Sequence, residues 1–269
     1  MLKKMMIASV PALLVGAALA SAPAAHAGLF IPVQGSDVVV LTSGDDVAVN
    51  VTAQFTAALP GGFSFFGTNQ TVLFMNSNGN LTFGIGSTQF TNDPFPTGAP
   101  PRIAPFWDDL FLPPGQLRVN SSTPGVFNAI WNMVDTFGPS NTITVEATLL
   151  GAGNPFGAAA GTIVLSYGQV TGTNDGSVTV GLNQGNGVGF ATLSSLGIGG
   201  TNGILNTAQA QGLPNAAGGG IFTFTPSGTG YIVTAGAPTV IPEPASVVLL
   251  GLGAVSTFGY GIRRRKKAA

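Results

Sequence analysis

The 269-residue sequence predicts an all-β, antiparallel β-sandwich with Gly- and Asn-rich turns, with an N-terminal signal peptide before it and a single C-terminal transmembrane helix after it. Three observations carry this reading. Short apolar runs alternate with polar residues at the period of two that a half-buried strand requires. Gly, Asn, Thr, Ser and Pro fill the spaces between those runs, without the strand-helix rhythm of a parallel sheet. The two ends, unlike the middle, are uncharged apolar stretches flanked by basic residues.

From the N-terminus, Lys3 and Lys4 precede an apolar stretch over residues 5–20 that Pro11 interrupts. Ala25-His26-Ala27 then fits a small-x-small site for signal peptidase, with Ala25 and Ala27 as its small residues and Gly28 as the new first residue. Residues 1–27 are therefore read as a signal peptide and 28–234 as the body. Strands are expected over 47–55, 63–66, 72–75, 81–83, 126–131, 141–150, 163–167, 178–182, 221–225 and 231–234. In 141–150 the alternation is regular: Ile143, Val145, Ala147 and Leu149 face one way, and Thr142, Thr144, Glu146 and Thr148 the other. Asn76-Ser77-Asn78-Gly79-Asn80 supplies a tight hairpin, and Asn174-Asp175-Gly176 a second turn. Residues 197–220 read as a long loop with one helical turn near 205–211, and 235–241 as a linker.

The last segment, 242–269, has three parts. Pro242, Glu243 and Pro244 hold an extended backbone, since proline fixes φ and restricts the residue before it. Residues 245–262 carry no charge and would span roughly 27 Å as a helix, close to the ~30 Å of a bilayer core. Arg263, Arg264, Arg265, Lys266 and Lys267 follow as a basic stop (263–267), which stays on the cytoplasmic side. A Leu-Pro-x-Thr-Gly sortase motif is absent.

Seven of the nine Lys and Arg lie in these two end segments, leaving Arg102 and Arg118 in the body against nine acids, a formal charge of −7. The body has no lysine, and the one histidine, His26, leaves with the signal peptide; cysteine is absent throughout. A Ser-His-Asp, Cys-His or Ser-Lys nucleophile pair has no members here. Zinc sites built on His and Cys, Schiff bases and P-loops are excluded in the same way. An acidic surface without basic clusters argues against nucleic acid. No cofactor is implied, and the protein reads as not an enzyme.

Within the body, Asp108 and Asp109 form the best chemical pair. They are open to three readings: calcium ligands, helped by Asp93 or Asp135; paired glycosidase carboxylates; or a strand-end turn after a buried Phe106-Trp107. The turn is favoured, because adjacent strand residues point to opposite faces. Asp45-Asp46 and Asp175 read as turns. Trp107 and Trp131 would suit a sugar-stacking platform, but core positions explain them more simply.

Two resemblances follow from these residues. Pro242-Glu243-Pro244, the apolar span and the arginine cluster resemble the PEP-CTERM sorting signal of Gram-negative bacteria. This implies processing by an exosortase-type membrane protease, transient anchoring in the inner membrane through the C-terminal helix, and release to the envelope or exterior. Separately, Gly61-Gly62-Phe63-Ser64-Phe65-Phe66-Gly67, the 72–83 hairpin and Arg102-Ile103-Ala104-Pro105-Phe106-Trp107-Asp108-Asp109 resemble the nidogen-like (NIDO) extracellular domain, over about 61–196. Such domains occur in matrix and adhesion proteins. The expectation is a secreted, non-enzymatic surface or matrix protein, structural or adhesive, with exopolysaccharide or other matrix components as partners. A carbohydrate-binding module is the alternative, and a carboxylate-based hydrolase the third reading.

Overall fold

The computed structural model describes residues 28–96, 100–138, 141–185 and 187–238. The expected signal peptide (1–27), with Ala25 and Ala27, the end of the linker, and the sorting tag (242–269), with its membrane span and basic stop, lie outside the described residues. Among the described residues no helix is long and apolar enough to cross a membrane.

In chain order the first half contains β1 (Val38–Leu41), β2 (Gly44–Asp45), β3 (Ala48–Asn50), α1 (Thr52–Ala58), β4 (Phe63–Phe65), β5 (Thr68–Gln70), β6 (Leu73–Asn76), β7 (Asn80–Phe83), β8 (Arg102–Trp107) and β9 (Leu110–Leu112). The second half contains β10 (Gln116–Asn120), β11 (Val126–Thr136), β12 (Thr142–Leu150), β13 (Thr162–Val170), β14 (Ser177–Asn183), β15 (Phe190–Ala191), β16 (Ile204–Asn206), α2 (Thr207–Gly212), β17 (Ile221–Ser227) and β18 (Gly230–Ala235).

The strands pair antiparallel, as expected. A nine-stranded sheet runs β1-β10-β11-β12-β13-β17-β18, with β9 also on β11 and β2 on β9. A seven-stranded sheet runs β15-β14-β8-β7-β6-β3, with β16 also on β14. The two share one hydrophobic core, to which Phe127, Trp131, Val145, Leu149, Leu165 and Phe222 contribute from the first, and Leu73, Met75, Leu81, Ile103, Phe106 and Val180 from the second. Two hydrogen bonds tie the sheets across this core: Trp131 Nε1 donates to the Asn76 carbonyl at 2.9 Å, and the Tyr167 hydroxyl to the Pro105 carbonyl at 2.8 Å. With no cysteine, the fold rests on this burial, at about 1.5–3 kcal/mol for each large apolar side chain.

The expected strand over 47–55 is corrected: only β3 is strand, and α1 follows. Val51, Phe55, Ala58 and Leu59 are buried at helical spacing, so one face of the turn-rich segment serves the core, and this overrides the β-branched start. β1, β9 and β10 are additional short strands. The long loop of 197–220 holds β16 and α2, the latter capped by Asn206 and Gln209 in a capping box. The alternation of β12 holds, with Ile143, Val145, Ala147 and Leu149 all in the core. Its other face is not open, however: Glu146 and Thr148 are also buried, because residues 29–31 lie across it as a strap.

Candidate functional site

The three-residue turn of the β6–β7 hairpin, Ser77-Asn78-Gly79, organises the acidic end of the molecule. Gly79 sits at φ 70°, where glycine carries no steric penalty, and closes the Asn76–Asn80 pair. Its carbonyl accepts the Phe106 N–H at 3.1 Å. The Ser77 N–H donates to the Val47 carbonyl at 2.7 Å, and Val47 returns its own N–H to Ser77 Oγ at 2.9 Å. Asn78 Nδ2 donates to Asp46 Oδ1 at 2.7 Å, while Asn78 Oδ1 accepts the Leu110 N–H at 3.1 Å. One turn thus fixes the β2–β3 connection beside the β8–β9 connection.

Those two connections, with Asp45 at the end of β2, carry the acids. Asp108 and Asp109 diverge. Asp108 is buried, and its carboxylate accepts the N–H of Asp109 at 2.9 Å and of Asn174 at 2.8 Å. Burial raises its pKa to about 7 against the pull of those two donors. Asp109 turns the other way and meets Asp45 and Asp46, the three offering carboxylate oxygens within 4.8 Å of one another. Burial, then repulsion from Asp45, Asp46 and Asp175, pushes the Asp109 carboxyl above its ordinary range. Asp45 is raised likewise, by burial first and Asp46 second. These three hard oxygen donors form a set that could hold a divalent ion. Asp93 and Asp135 stand apart from it. Asp93 accepts from Gln89 Nε2 at 2.6 Å, and Asp135 from the Thr142 hydroxyl at 2.8 Å. The partners of Asp109 therefore come from a segment about sixty residues earlier, which spacing along the chain does not reveal.

Both tryptophans are core: Trp107 is 1% exposed and Trp131 0%. Arg102 lies over the Trp107 ring, 3.5 Å from its centroid, and donates to Ser87 Oγ at 3.1 Å. Burial lowers the pKa of this guanidinium to about 10, with Asp93 opposing. Among the described residues Phe90, Phe111, Phe137 and Phe190 are exposed aromatics, and of these Phe111 on β9 and Phe137 just past β11 form a pair, with ring centroids 6.3 Å apart. They adjoin the acids, since Phe111 is the register partner of Asp45 and the Phe137 N–H donates to the Asp109 carbonyl. Three surface clefts of about 440 to 480 Å³ are lined chiefly by Gly, Ala, Ser, Thr and Pro, and no acid or arginine converges in them.

Compared with known proteins, residues 22–226 match the family described as NIDO related, a wider span than the 61–196 expected. Residues 240–266 match the PEP-CTERM protein-sorting motif. No curated protein and no solved structure matches the chain.

Proposed function

The chain belongs to the NIDO-related family, and from that premise we propose that it is a non-enzymatic surface or matrix protein with a structural or adhesive role in an exopolysaccharide matrix. Its PEP-CTERM motif implies export and processing by an exosortase-type protease. Neither family is enzymatic. In this reading the two sheets around their shared core form the expected sandwich, residues 1–27 are removed by signal peptidase, and the 245–262 span anchors the precursor in the inner membrane until Pro242, Glu243 and Pro244 direct its release.

The observation that carries the proposal is the pairing of a NIDO-related body with a sorting tag. The absence of lysine, histidine and cysteine from the body supports it, because Ser-His-Asp, Cys-His and Ser-Lys catalysis and zinc sites built on His and Cys have no residues to work with. Buried tryptophans remove the sugar platform first considered for a carbohydrate-binding module. That second reading now rests on Phe111 and Phe137 beside the acids. Calorimetric titration of the exported protein with the producing cell's exopolysaccharide, with and without calcium, tests the role. Saturable binding that Phe137→Ala abolishes favours the binding module; binding that survives it favours broader adhesion; no binding in either condition rejects both. Truncation before Pro242 is expected to leave the body folded and to change where it accumulates. Unchanged distribution on cell fractionation would sink the sorting claim.

A further inference from the structure

The strap of residues 29–31 closes over a carboxyl group. Phe30 donates its N–H to Ser166 Oγ at 2.9 Å, and Ile31 donates to the two Glu146 oxygens at 3.3 and 3.1 Å. The Phe30 ring meets Phe156 at 4.7 Å, and Phe30 and Ile31 pack on the buried cluster of Val126, Leu150 and Val164. Glu146 beneath is 0% exposed. The rest of its shell is two hydroxyls, Ser166 at 3.0 Å and Thr148 in close contact. Residues 32–36, all exposed, tether the strap to the body.

Counting hydrogens in this network points to the state of Glu146. Thr148 Oγ1 contacts both a Glu146 oxygen and Asn128 Oδ1, the latter at 3.3 Å. A hydroxyl has one hydrogen, so it cannot donate to both acceptors. Both contacts are satisfied when Glu146 carries a proton and donates it to Thr148, which then donates to Asn128. The other solution reverses the Asn128 amide, whose Nδ2 is buried without a partner, and leaves Glu146 ionised.

The surroundings favour the proton. Ile31 in the strap, Ile130 on β11 and Ser166 on β13 face Glu146 and carry no charge. The α-ammonium that signal-peptide removal creates at Gly28, three residues before Ile31, is the one charge at the strap's end and acts the other way. Asp37, at the end of the tether, acts on Glu146 as a like charge. Arg118 lies one strand further along the same row, beyond Ile130, with its guanidinium held by Gln116 Oε1 at 2.9 and 2.6 Å. Burial therefore dominates over the three hydrogen bonds and raises the carboxyl from 4.5 to about 7.

We propose that residues 29–31 are a pH-sensitive latch, seated while Glu146 is protonated and released when it ionises, so that the apolar cluster of Val126, Leu150 and Val164 is uncovered. The sign follows from linkage. The closed form binds the proton more tightly than the open one, so the latch is firmest below 4.5, weakens as pH rises, and has lost this contribution above about 7. The inference does not depend on the role proposed above.

Amide exchange at Phe30 and Ile31, read by NMR on the exported protein and corrected for intrinsic rates, tests it. Between about pH 5.5 and 7.5 the opening equilibrium should rise more than ~tenfold. Glu146→Gln, which cannot ionise, should hold the strap equally at both values. Equal opening of the wild type at both pH values, or a rise that persists in Glu146→Gln, overturns the latch. Should that variant not fold, carbon NMR titration of the wild-type Glu146 carboxyl decides: a midpoint near 7 supports the proposal, and one near 4.5 overturns it.

Discussion

Asp108 is subject to two opposed demands. Its carboxylate is the acceptor for two backbone N–H groups, and it is buried beside Asp109 and Asp175, which oppose its charge. The donors make the group structural: Asp108→Ala leaves Asp109 and Asn174 without their acceptor and should cost about 1–3 kcal/mol in urea unfolding. Burial makes it pH-sensitive. With the folded pKa raised from 3.8 to about 7, the stability it contributes is present below 3.8 and lost as pH rises through about 7. Asp108→Asn should flatten that part of the stability-pH curve, and an unchanged slope would show that the group ionises normally. The same side chain shows why the adjacent acids separate in space: one is drawn in by backbone donors, and the other is left half-buried.

Among the elements, the Ser77-Asn78-Gly79 turn has the least tolerance. A Cβ on Gly79 would stand 1.7 Å from the Phe106 carbonyl oxygen, at a φ of 70°. Gly84 shares a positive φ but has nothing within 4 Å. Gly84→Ala should therefore lose only the roughly 1–2 kcal/mol of a left-handed residue, and Gly79→Ala clearly more, with thermal melting as the readout. Similar melting of the two would mean that the turn does not clamp β8. The hairpin itself was legible, because Asn-Gly between apolar runs is a local signal. So was β12, whose alternation places Ile143 through Leu149 on the core. What the turn holds was not legible, since Val47 and Phe106 are distant in sequence. β10 is only five residues long, behind Pro113 and Pro114, and α1 follows directly on Val49 of β3 and Val51 at its N-cap, which read as a continuing strand. The burial of Glu146 was hidden for the same reason: its cover comes from Ile31, 115 residues away.

Across the whole molecule, charge is unevenly placed. Asp45, Asp46, Asp109 and Asp175 act on one another at one end, and residues 176–242 contain no Asp, Glu, Lys, Arg or His. Self-repulsion of that end should make the melting temperature rise with NaCl, through screening. If Asp45, Asp46 and Asp109 hold calcium, millimolar CaCl2 should raise it further than NaCl at equal ionic strength, and Asp109→Asn should erase the difference; equal effects of the two salts would argue against a specific site. The absence of lysine, histidine and cysteine from the body was evident from composition alone, whereas the gathering of the acids required the fold. The placement of the two arginines has a further effect. Trypsin-like proteases cut after Lys or Arg, so the body offers them only the bonds after Arg102 and Arg118. The first residue is buried within β8 against Trp107 and the second lies in β10 between two paired strands. Outside the cell, where such enzymes are common and no chaperone repairs a nicked chain, the folded body is thereby closed to an entire class of digestion.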